Sequence, residues 1–174
     1  MLSKEELVDL LINNTEEFNE SIKGEYLDLS ETDFSNITIE GAVFDNTDLT
    51  ASSFADSQLT DVKFVNCDLS SVDFTRAKLV ECNFNESVLS GADFSYSTVQ
   101  YCGFPDTDFA GAIVREADLS NSDFTMSENL SASRFDDTTI WPDSEYLPED
   151  FDSSYTDDLS SLKDDEDDFG SSDY

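Results

Sequence analysis

Large apolar residues recur at every fifth position of this chain, from Leu29 to Phe124. This interval fits neither the 3.6-residue period of a helix nor the two-residue period of a half-buried strand. It fits a repeat in which the chain turns a corner every five residues and points one large side chain inward from each side. The positions are Leu29, Phe34, Ile39, Phe44, Leu49, Phe54, Leu59, Phe64, Leu69, Phe74, Leu79, Phe84, Leu89, Phe94, Val99, Phe104, Phe109, Val114, Leu119 and Phe124.

The inward residues alternate between aromatic and aliphatic, with Phe109 and Val114 as exceptions to the order. A square coil of four five-residue walls would therefore stack Phe on Phe along two opposite walls and aliphatic residues along the other two. Such columns fill the interior of a tube closely, as a core requires. The predicted core contains Phe34, Phe44, Phe54, Phe64, Phe74, Phe84, Phe94, Phe104, Phe124, Leu49, Leu69 and Leu89.

A small residue commonly lies two positions before the large one, as in Ala92-Asp93-Phe94 and Ala117-Asp118-Leu119. With this pattern, residues 26–125 resemble the pentapeptide-repeat family, whose consensus is A-(D/N)-L-x-x. The resemblance implies an all-β fold, a right-handed quadrilateral parallel β-helix of about five to six coils, with the small residue also turned inward. We place this solenoid at residues 26–142.

Residues 1–25 are predicted to cap the first coil. Ser3 and Glu6 form a capping box, and the apolar residues that follow at helical spacing predict one amphipathic helix from Lys4 to about Glu20. A solenoid end exposes unpaired strand edges, which such a helix would cover. A helix that binds a partner is the alternative.

The spacing slips after Phe124, because Leu130 comes six residues later before Phe135 and Ile140 restore the interval of five. The segment that ends in Trp141 and Pro142 is similar to the closing segment of the family. We expect Trp141 to cover the open end of the tube and Pro142 to stop strand pairing. A ligand that stacks on Trp141 is the alternative.

Residues 143–174 have no repeat and contain 13 acidic residues with one base, Lys163. This composition predicts a disordered acidic tail. Aromatic residues are interleaved with the acids, as in segments that fold on a basic, partly apolar partner; a purely solubilising tail is the alternative. The candidate partner contacts are Tyr146, Phe151, Tyr155 and Phe169.

The chain carries 41 acidic residues against 8 basic ones, a formal net charge of −33. Such a charge repels nucleic acid and anionic membranes and favours a basic partner. It is also found in proteins adapted to high salt. No apolar run has the length of a membrane span, and the N-terminus lacks a basic-then-apolar signal, so we expect a cytoplasmic protein.

The sequence does not predict an enzyme, a metal site or a cofactor. It contains no His, no phosphate-binding glycine loop and no nucleophile elbow. Cys82 and Cys102 are separated by one complete turn of the predicted coil and should stack inside adjacent coils, where a redox pair or metal site is one interpretation. We favour the interpretation that these buried thiols act as small apolar residues.

The acidic residues on the outside of the predicted coil fall into columns. With four five-residue walls in each turn, one wall presents a column of aspartates that only Val88 interrupts, and the next wall presents a second column; the other two walls are mixed. Side-chain hydrogen bonds at the corners are a structural reason for Asp at these positions. The two columns are Asp28, Asp48, Asp68 and Asp108, and Asp33, Asp73 and Asp93.

We therefore predict a non-enzymatic interaction module that binds a basic protein surface through its acidic walls or its tail. The alternative follows from the resemblance, because members of the family act as DNA mimics on type II topoisomerases such as DNA gyrase. This chain lacks the inserted loops that gyrase-inhibiting members often carry. A solubilised structural filler without a partner is a third interpretation. A monomer is expected, since the acidic tail would repel a second copy.

Overall fold

The computed structural model of the protein describes residues 2–153, which form a parallel β-solenoid preceded by two helices. Two single-turn 3-10 segments, Leu130–Ala132 and Ser144–Tyr146, follow the last strand. The helices and strands in chain order are α1 (Lys4–Asn13), α2 (Thr15–Ile22), β1 (Leu27–Asp28), β2 (Thr38–Glu40), β3 (Val43–Asp45), β4 (Thr47–Asp48), β5 (Gln58–Thr60), β6 (Lys63–Val65), β7 (Lys78–Val80), β8 (Thr98–Gly103) and β9 (Asp118–Asp123).

Each segment pairs in parallel with the equivalent segment of the next coil, which confirms the predicted square coil. We number the four walls by the outward residues that bridge one coil to the next. Wall 1 contains Asp28, Asp48, Asp68, Val88, Asp108 and Glu128, and wall 2 contains Asp33, Ser53, Asp73, Asp93, Ile113 and Arg134. Wall 3 contains Thr38, Gln58, Lys78, Thr98, Asp118 and Ile140, and wall 4 contains Val43, Lys63, Asn83, Gly103 and Asp123.

The interior is filled by the predicted columns, and every predicted core residue is buried. Phe rings of successive coils stack with centroids 4.6–5.3 Å apart along walls 2 and 4. The two aromatic columns meet edge to face, with centroids 5.8–6.5 Å apart where Phe34 to Phe94 face Phe44 to Phe84. Offset stacking and edge contacts are the favourable geometries for aromatic rings, so the repeat places each ring favourably.

The corners between the walls are made by residues in the left-handed region. Tyr96, Arg76 and Glu116, for example, have φ angles of 63°, 57° and 55°. Glycine adopts this conformation without strain, as at Gly91, whereas other residues do so at a cost. At most corners the backbone N–H is bonded to a carbonyl of the next coil, for instance from Arg76 to the Ser95 carbonyl at 3.0 Å, which holds the strained residue in place.

The N-terminal cap consists of two helices rather than the single predicted one. Asn14 (φ −156°) ends α1 and begins α2, and its side chain accepts a hydrogen bond from the Glu17 N–H. Asn competes for backbone hydrogen bonds and favours helix ends, which explains the break. Across residues 2–153, neither helix has the length and apolarity that a membrane span requires.

The helices close the first coil by packing and by hydrogen bonding. Phe18 is fully buried and meets the Phe44 ring edge to face at 5.4 Å. The Asn19 amide donates to the Gly41 carbonyl at 3.0 Å and accepts from the Val43 N–H at 2.9 Å. One side chain thus satisfies two backbone groups that a preceding coil would otherwise bind, which is how the cap protects the edge.

At the C-terminal end, Leu130 and Phe135 are buried as predicted, but Ile140 is 54% exposed. The prediction that Ile140 points inward is wrong, because wall 3 gains a further residue and Ile140 bridges outward to Asp118. Trp141 takes the inward place and meets the Phe124 and Phe135 rings edge to face at 6.2 and 5.3 Å. It therefore covers the end of the core, as expected.

The chain continues to pack on the solenoid beyond residue 142, where the sequence predicted the start of a disordered tail. The Phe124 N–H donates to the Tyr146 carbonyl at 2.8 Å, as to another coil. Leu147 and Phe151 are half-buried against the core. The ordered end thus reaches at least Phe151, because these apolar side chains cover rings that the last strand leaves open.

Candidate functional site: the acidic walls

Wall 1 is an acidic column that Val88 interrupts, as the sequence predicted. Backbone bridges join Asp28 to Asp48 and Asp48 to Asp68, and Val88 links Asp68 to Asp108. The column continues to Glu128, which was not among the predicted positions although it lies one coil after Asp108. Parallel strands lie about 4.8 Å apart, so the carboxylates repeat at that rise or its multiples.

Wall 2 carries the second predicted column. Asp33 and Asp73 are both bridged to Ser53, and Asp73 is bridged to Asp93. Beyond Asp93 the acidic character ends, because the next two bridging positions are Ile113 and Arg134. Wall 2 is therefore acidic in its N-terminal part, whereas wall 1 carries acidic residues from Asp28 to Glu128 with Val88 as the one exception.

The carboxylates of these walls have a structural role in the turns. Oδ1 of Asp93 accepts a hydrogen bond at 2.8 Å from the N–H two residues later, and Asp48, Asp68 and Asp73 do the same at 2.8–3.0 Å. Asn83 fills this role at 2.9 Å with a neutral amide, and the Ser53 hydroxyl does so at 3.3 Å. A neutral acceptor can therefore replace the carboxylate in this turn, and at the equivalent positions Val88 and Ile113 offer no side-chain acceptor.

The two ends of wall 1 have further partners. The Lys4 ammonium lies 3.0 Å from Asp28 Oδ1, so the cap neutralises the first carboxylate of the column. The Ser30 hydroxyl and Lys4 lower the pKa of Asp28 to about 2. At Asp108, partial burial opposes ionisation, but hydrogen bonds from Asn129, from the Ala110 N–H and from Ser90 lower the pKa of the carboxyl. Both carboxyls are thus ionised at neutral pH.

Of the candidate contacts in the C-terminal segment, the structure describes Tyr146 and Phe151. Tyr146 is exposed, in line with a contact role. Phe151 is not a free contact, since its ring packs 4.6 Å from Trp141 and 5.7 Å from Phe135. The prediction that Phe151 belongs to an unpacked tail is therefore wrong, because closing the core end buries it. Tyr155 and Phe169 lie outside the described residues.

The cysteines are buried inside the solenoid. The Gly103 N–H donates to the Cys82 carbonyl, so Cys82 and Cys102 lie in adjacent coils as predicted. Burial raises the pKa of the Cys67 thiol to about 12, and the Cys82 hydrogen bond and burial raise the pKa of the Cys102 thiol. Protonated thiols are poor nucleophiles. Between residues 2 and 153, no three His, Cys, Asp or Glu side chains are grouped to hold a metal ion.

Two family models match the sequence. A model described as pentapeptide repeat region matches residues 25–94, and a model described as pentapeptide repeats (8 copies) matches residues 102–140. The chain belongs to the pentapeptide-repeat family. No functionally curated protein matches this pentapeptide-repeat sequence.

Solved structures of pentapeptide-repeat proteins are similar in part. HetL, involved in heterocyst differentiation regulation in the cyanobacterium Nostoc sp. strain PCC 7120, is 19% identical over 62% of this chain and 57% of its own, with a TM-score of 0.36. QnrB1, a plasmid-mediated fluoroquinolone resistance protein, is 13% identical over 63% and 65%, with a TM-score of 0.42. Alr5209 from Nostoc PCC 7120 is 28% identical over 60% and 77%, with a TM-score of 0.31. The match spans less than two thirds of HetL and of this trypsin-treated QnrB1 structure, and scores this low carry no functional argument.

Proposed function

We propose that this pentapeptide-repeat protein is a non-enzymatic, cytoplasmic interaction module that binds a basic protein surface through its acidic walls. The observation that carries the proposal is the wall 1 column, in which outward carboxylates recur from coil to coil. Charge of one sign on a single face attracts and orients a partner of the opposite sign.

The charge of this column is not explained by the fold. Asn83 and Ser53 make the same turn hydrogen bond without a charge. Like charges on adjacent strands repel and lower stability, so neutral acceptors would suit the solenoid better. The carboxylates are therefore surplus to folding, and partner binding is the role that uses them.

Replacing aspartates by asparagine tests this role, since asparagine keeps the acceptor oxygen of the turn. The wall 1 variant combines Asp48→Asn, Asp68→Asn and Asp108→Asn. The wall 2 variant, Asp33→Asn, Asp73→Asn and Asp93→Asn, removes the same charge from the shorter column, so that comparison of the two variants shows which wall contributes more to binding.

The measurement is affinity capture from cell extract on the full-length protein, eluted with increasing salt. We expect a basic protein to elute from the wall 1 variant at a lower salt concentration than from the wall 2 variant, because wall 1 has the longer acidic column. Equal retention by the wild type and both variants would contradict the proposal.

The second candidate function is a DNA mimic that regulates or protects a DNA-binding protein such as a type II topoisomerase. The regular rise of the wall 1 carboxylates favours it, because duplex DNA is itself a regular array of negative charges. The test is competition: duplex DNA should release the partner from the protein, and the protein should inhibit DNA binding by purified DNA gyrase. A partner that ignores DNA excludes the mimic and leaves the first proposal standing.

The tail candidates need a separate truncation variant. Removing residues 154–174 keeps Trp141, Leu147 and Phe151, which close the end of the core. If the partner is lost with this truncation but retained by the wall 1 variant, then Tyr155 and Phe169 belong to the binding segment and the walls do not.

A further inference from the structure

Wall 3 differs from the acidic walls and lies opposite wall 1. It is the most continuous sheet, with β2, β5, β7, β8 and β9 side by side. Thr98 and its neighbours in β8 are uncharged, and two exposed aromatic residues flank them at the corners, Tyr96 (57% exposed) and Tyr101 (65%). An exposed aromatic pair beside a flat neutral strand is the composition of an interface rather than of a solvated surface.

The charges on either side of this neutral strand have opposite signs. Lys78 pairs with Thr98, and Thr98 pairs with Asp118, in the central column of wall 3. At the corner beside it, Arg76 lies one coil before Tyr96, and Glu116 lies one coil after it. In these two neighbouring columns, a base lies one coil before the neutral strand and an acid lies one coil after it. In the column of Tyr101, by contrast, an acid, Glu81, lies one coil before the strand.

We propose that wall 3 binds wall 3 of a second copy of this chain, in a dimer with antiparallel solenoid axes. We place the two-fold axis between the two walls, parallel to the strands and over Thr98. The coil that precedes Thr98 in one copy then faces the coil that follows Thr98 in the other copy. Lys78 of each copy then faces Asp118 of the other, and Arg76 faces Glu116. Tyr96 and Tyr101 meet their own counterparts on the axis. A two-fold interface must be self-complementary, and this pattern meets that condition.

The Arg76–Asp56 pair within one chain does not prevent this arrangement. Arg76 makes two hydrogen bonds of 2.7 Å to Asp56. Both side chains remain partly exposed to solvent, and exposed ion pairs exchange at little cost. The guanidinium has further donors for a carboxylate of the second copy.

The size of wall 3 indicates a weak, reversible dimer. Five strands at about 4.8 Å and a wall width of about five residues at 3.3 Å give roughly 400 Å² per copy. The area buried on both copies together, roughly 800 Å², is below the usual 1,200–2,000 Å² of stable complexes and within the range of transient ones. Two chains of charge −33 also repel at long range, so added salt should strengthen the dimer until the close pairs are themselves screened.

The dimer would change how the acidic walls are displayed. With both copies joined through wall 3, each wall 1 faces outward on opposite sides of the assembly. This pentapeptide-repeat protein would then present two identical acidic columns, although the sequence alone led us to expect a monomer.

Sedimentation equilibrium of the full-length protein tests the proposal. We expect a concentration-dependent dimer at about 0.15 M NaCl. Lys78→Asp and Asp118→Lys should each weaken dimerisation by about tenfold or more, because each places like charges face to face. The double variant restores opposite charges, so its dimer dissociation constant should lie within a few-fold of the wild-type value.

Matched controls lie on wall 4, where Lys63→Asp and Asp123→Lys make the same charge changes away from the interface. They should leave the dimer unchanged. A monomer at every concentration and salt, or a double variant no better than the single ones, would overturn the proposal. Circular dichroism of each variant confirms that it folds.

Crosslinking tests the position of the axis. Thr98→Cys and Thr38→Cys introduce one thiol each in the same column of wall 3. Diamide accepts two electrons and two protons as two thiols form one disulfide, and the native cysteines are too buried to compete. Only the Thr98→Cys thiols should crosslink two copies. Equal crosslinking of both variants, or of neither, would contradict the antiparallel arrangement.

Discussion

At the residue scale, the outward aspartates combine two properties that can be separated. One carboxylate oxygen accepts the hydrogen bond that holds a corner turn. The negative charge of the carboxylate is not required for that hydrogen bond. The same turn at Asn83 uses a neutral side chain. Any account of these residues must therefore distinguish what the turn requires from what the charge adds.

Substitution at Asp93 separates the two. Asp93→Asn keeps the acceptor for the Ser95 N–H, 2.8 Å away, and should leave stability unchanged or slightly raised, because it removes repulsion. Asp93→Ala removes the same charge and also the acceptor, and should cost about 1 kcal/mol relative to Asn. Urea unfolding of the two variants measures this difference. Equal stabilities would mean that the turn does not need the side chain.

Asp28 gives a prediction about pH. Its pKa is about 2 in the folded protein because the Ser30 hydroxyl and Lys4 bind the carboxylate, against an ordinary value of 3.8. A lowered pKa stabilises the folded state above the unfolded value, and this contribution is lost as pH falls from about 4 to about 2. Ser30→Ala should raise the pKa of Asp28 towards 3.8. A carboxyl NMR titration measures it, and Ser90→Ala, which changes a distant hydroxyl of wall 1, should not alter it.

Much at this scale could be predicted from the sequence, but not the corners. The acidic columns follow from counting in whole coils, because the register admits no alternative while the core repeats without a break. The left-handed corners are hidden because residues as different as Tyr96, Arg76 and Glu116 occupy them. The opposite charges around Thr98 went unnoticed for another reason: they form a pattern only when two copies are brought together.

At the scale of elements, coil five exchanges two core residues. Val114 stands where the wall 2 column otherwise has Phe, and Phe109 stands where the wall 1 column has Leu. The Phe109 ring reaches Phe104 and Phe124, with centroids 5.1 and 5.6 Å away. The coil thus keeps its core volume while changing which wall supplies the ring.

A double-mutant cycle tests this compensation. Phe109→Leu leaves a cavity, and Val114→Phe overpacks the coil, so each alone should destabilise by about 1–3 kcal/mol. Together they restore the regular alternation, and we expect the double variant to lie at least about 1 kcal/mol closer to the wild type than the sum. Urea unfolding gives all four stabilities. Strict additivity would mean that the two positions do not share a space.

The ends of the solenoid were harder to predict than its middle. The extra residue before Leu130 is visible in the sequence, but a second one, before Trp141, moves the inward place from Ile140 to Trp141, and an interval of five cannot reveal it. The break at Asn14 depends on a local competition for hydrogen bonds, which helical spacing does not report. Phe151 was assigned to a tail by composition, yet contact with Trp141 decides its place.

At the scale of the whole molecule, the net charge of −33 opposes the compact state. Coils bring like charges together, and few bases offset them: among the described residues, the ion pairs Lys4–Asp28, Lys23–Glu20 and Arg76–Asp56 are all exposed. The core columns must hold the solenoid against this repulsion. Stability should therefore depend on ionic strength more than it does for a neutral protein.

This dependence on ionic strength should appear in the melting temperature. Raising NaCl from about 0.01 M to 0.5 M shortens the screening length from about 30 Å to a few ångströms, so the melting temperature should rise by several degrees. KCl should act equally, because screening does not depend on the cation. The variant with Asp48→Asn, Asp68→Asn and Asp108→Asn should melt higher at low salt and gain less. Thermal unfolding followed by circular dichroism measures both.

The same series of melting temperatures at increasing NaCl also distinguishes simple screening of charge repulsion from adaptation of the protein to high salt. If screening is the cause, the gain should level off near about 0.5 M, since exposed charges are then already screened. A protein adapted to high salt would instead remain unfolded at about 0.01 M and continue to gain stability at molar concentrations. A melting temperature that does not change with salt would contradict both, and would mean that the stacked core outweighs the charge of the walls.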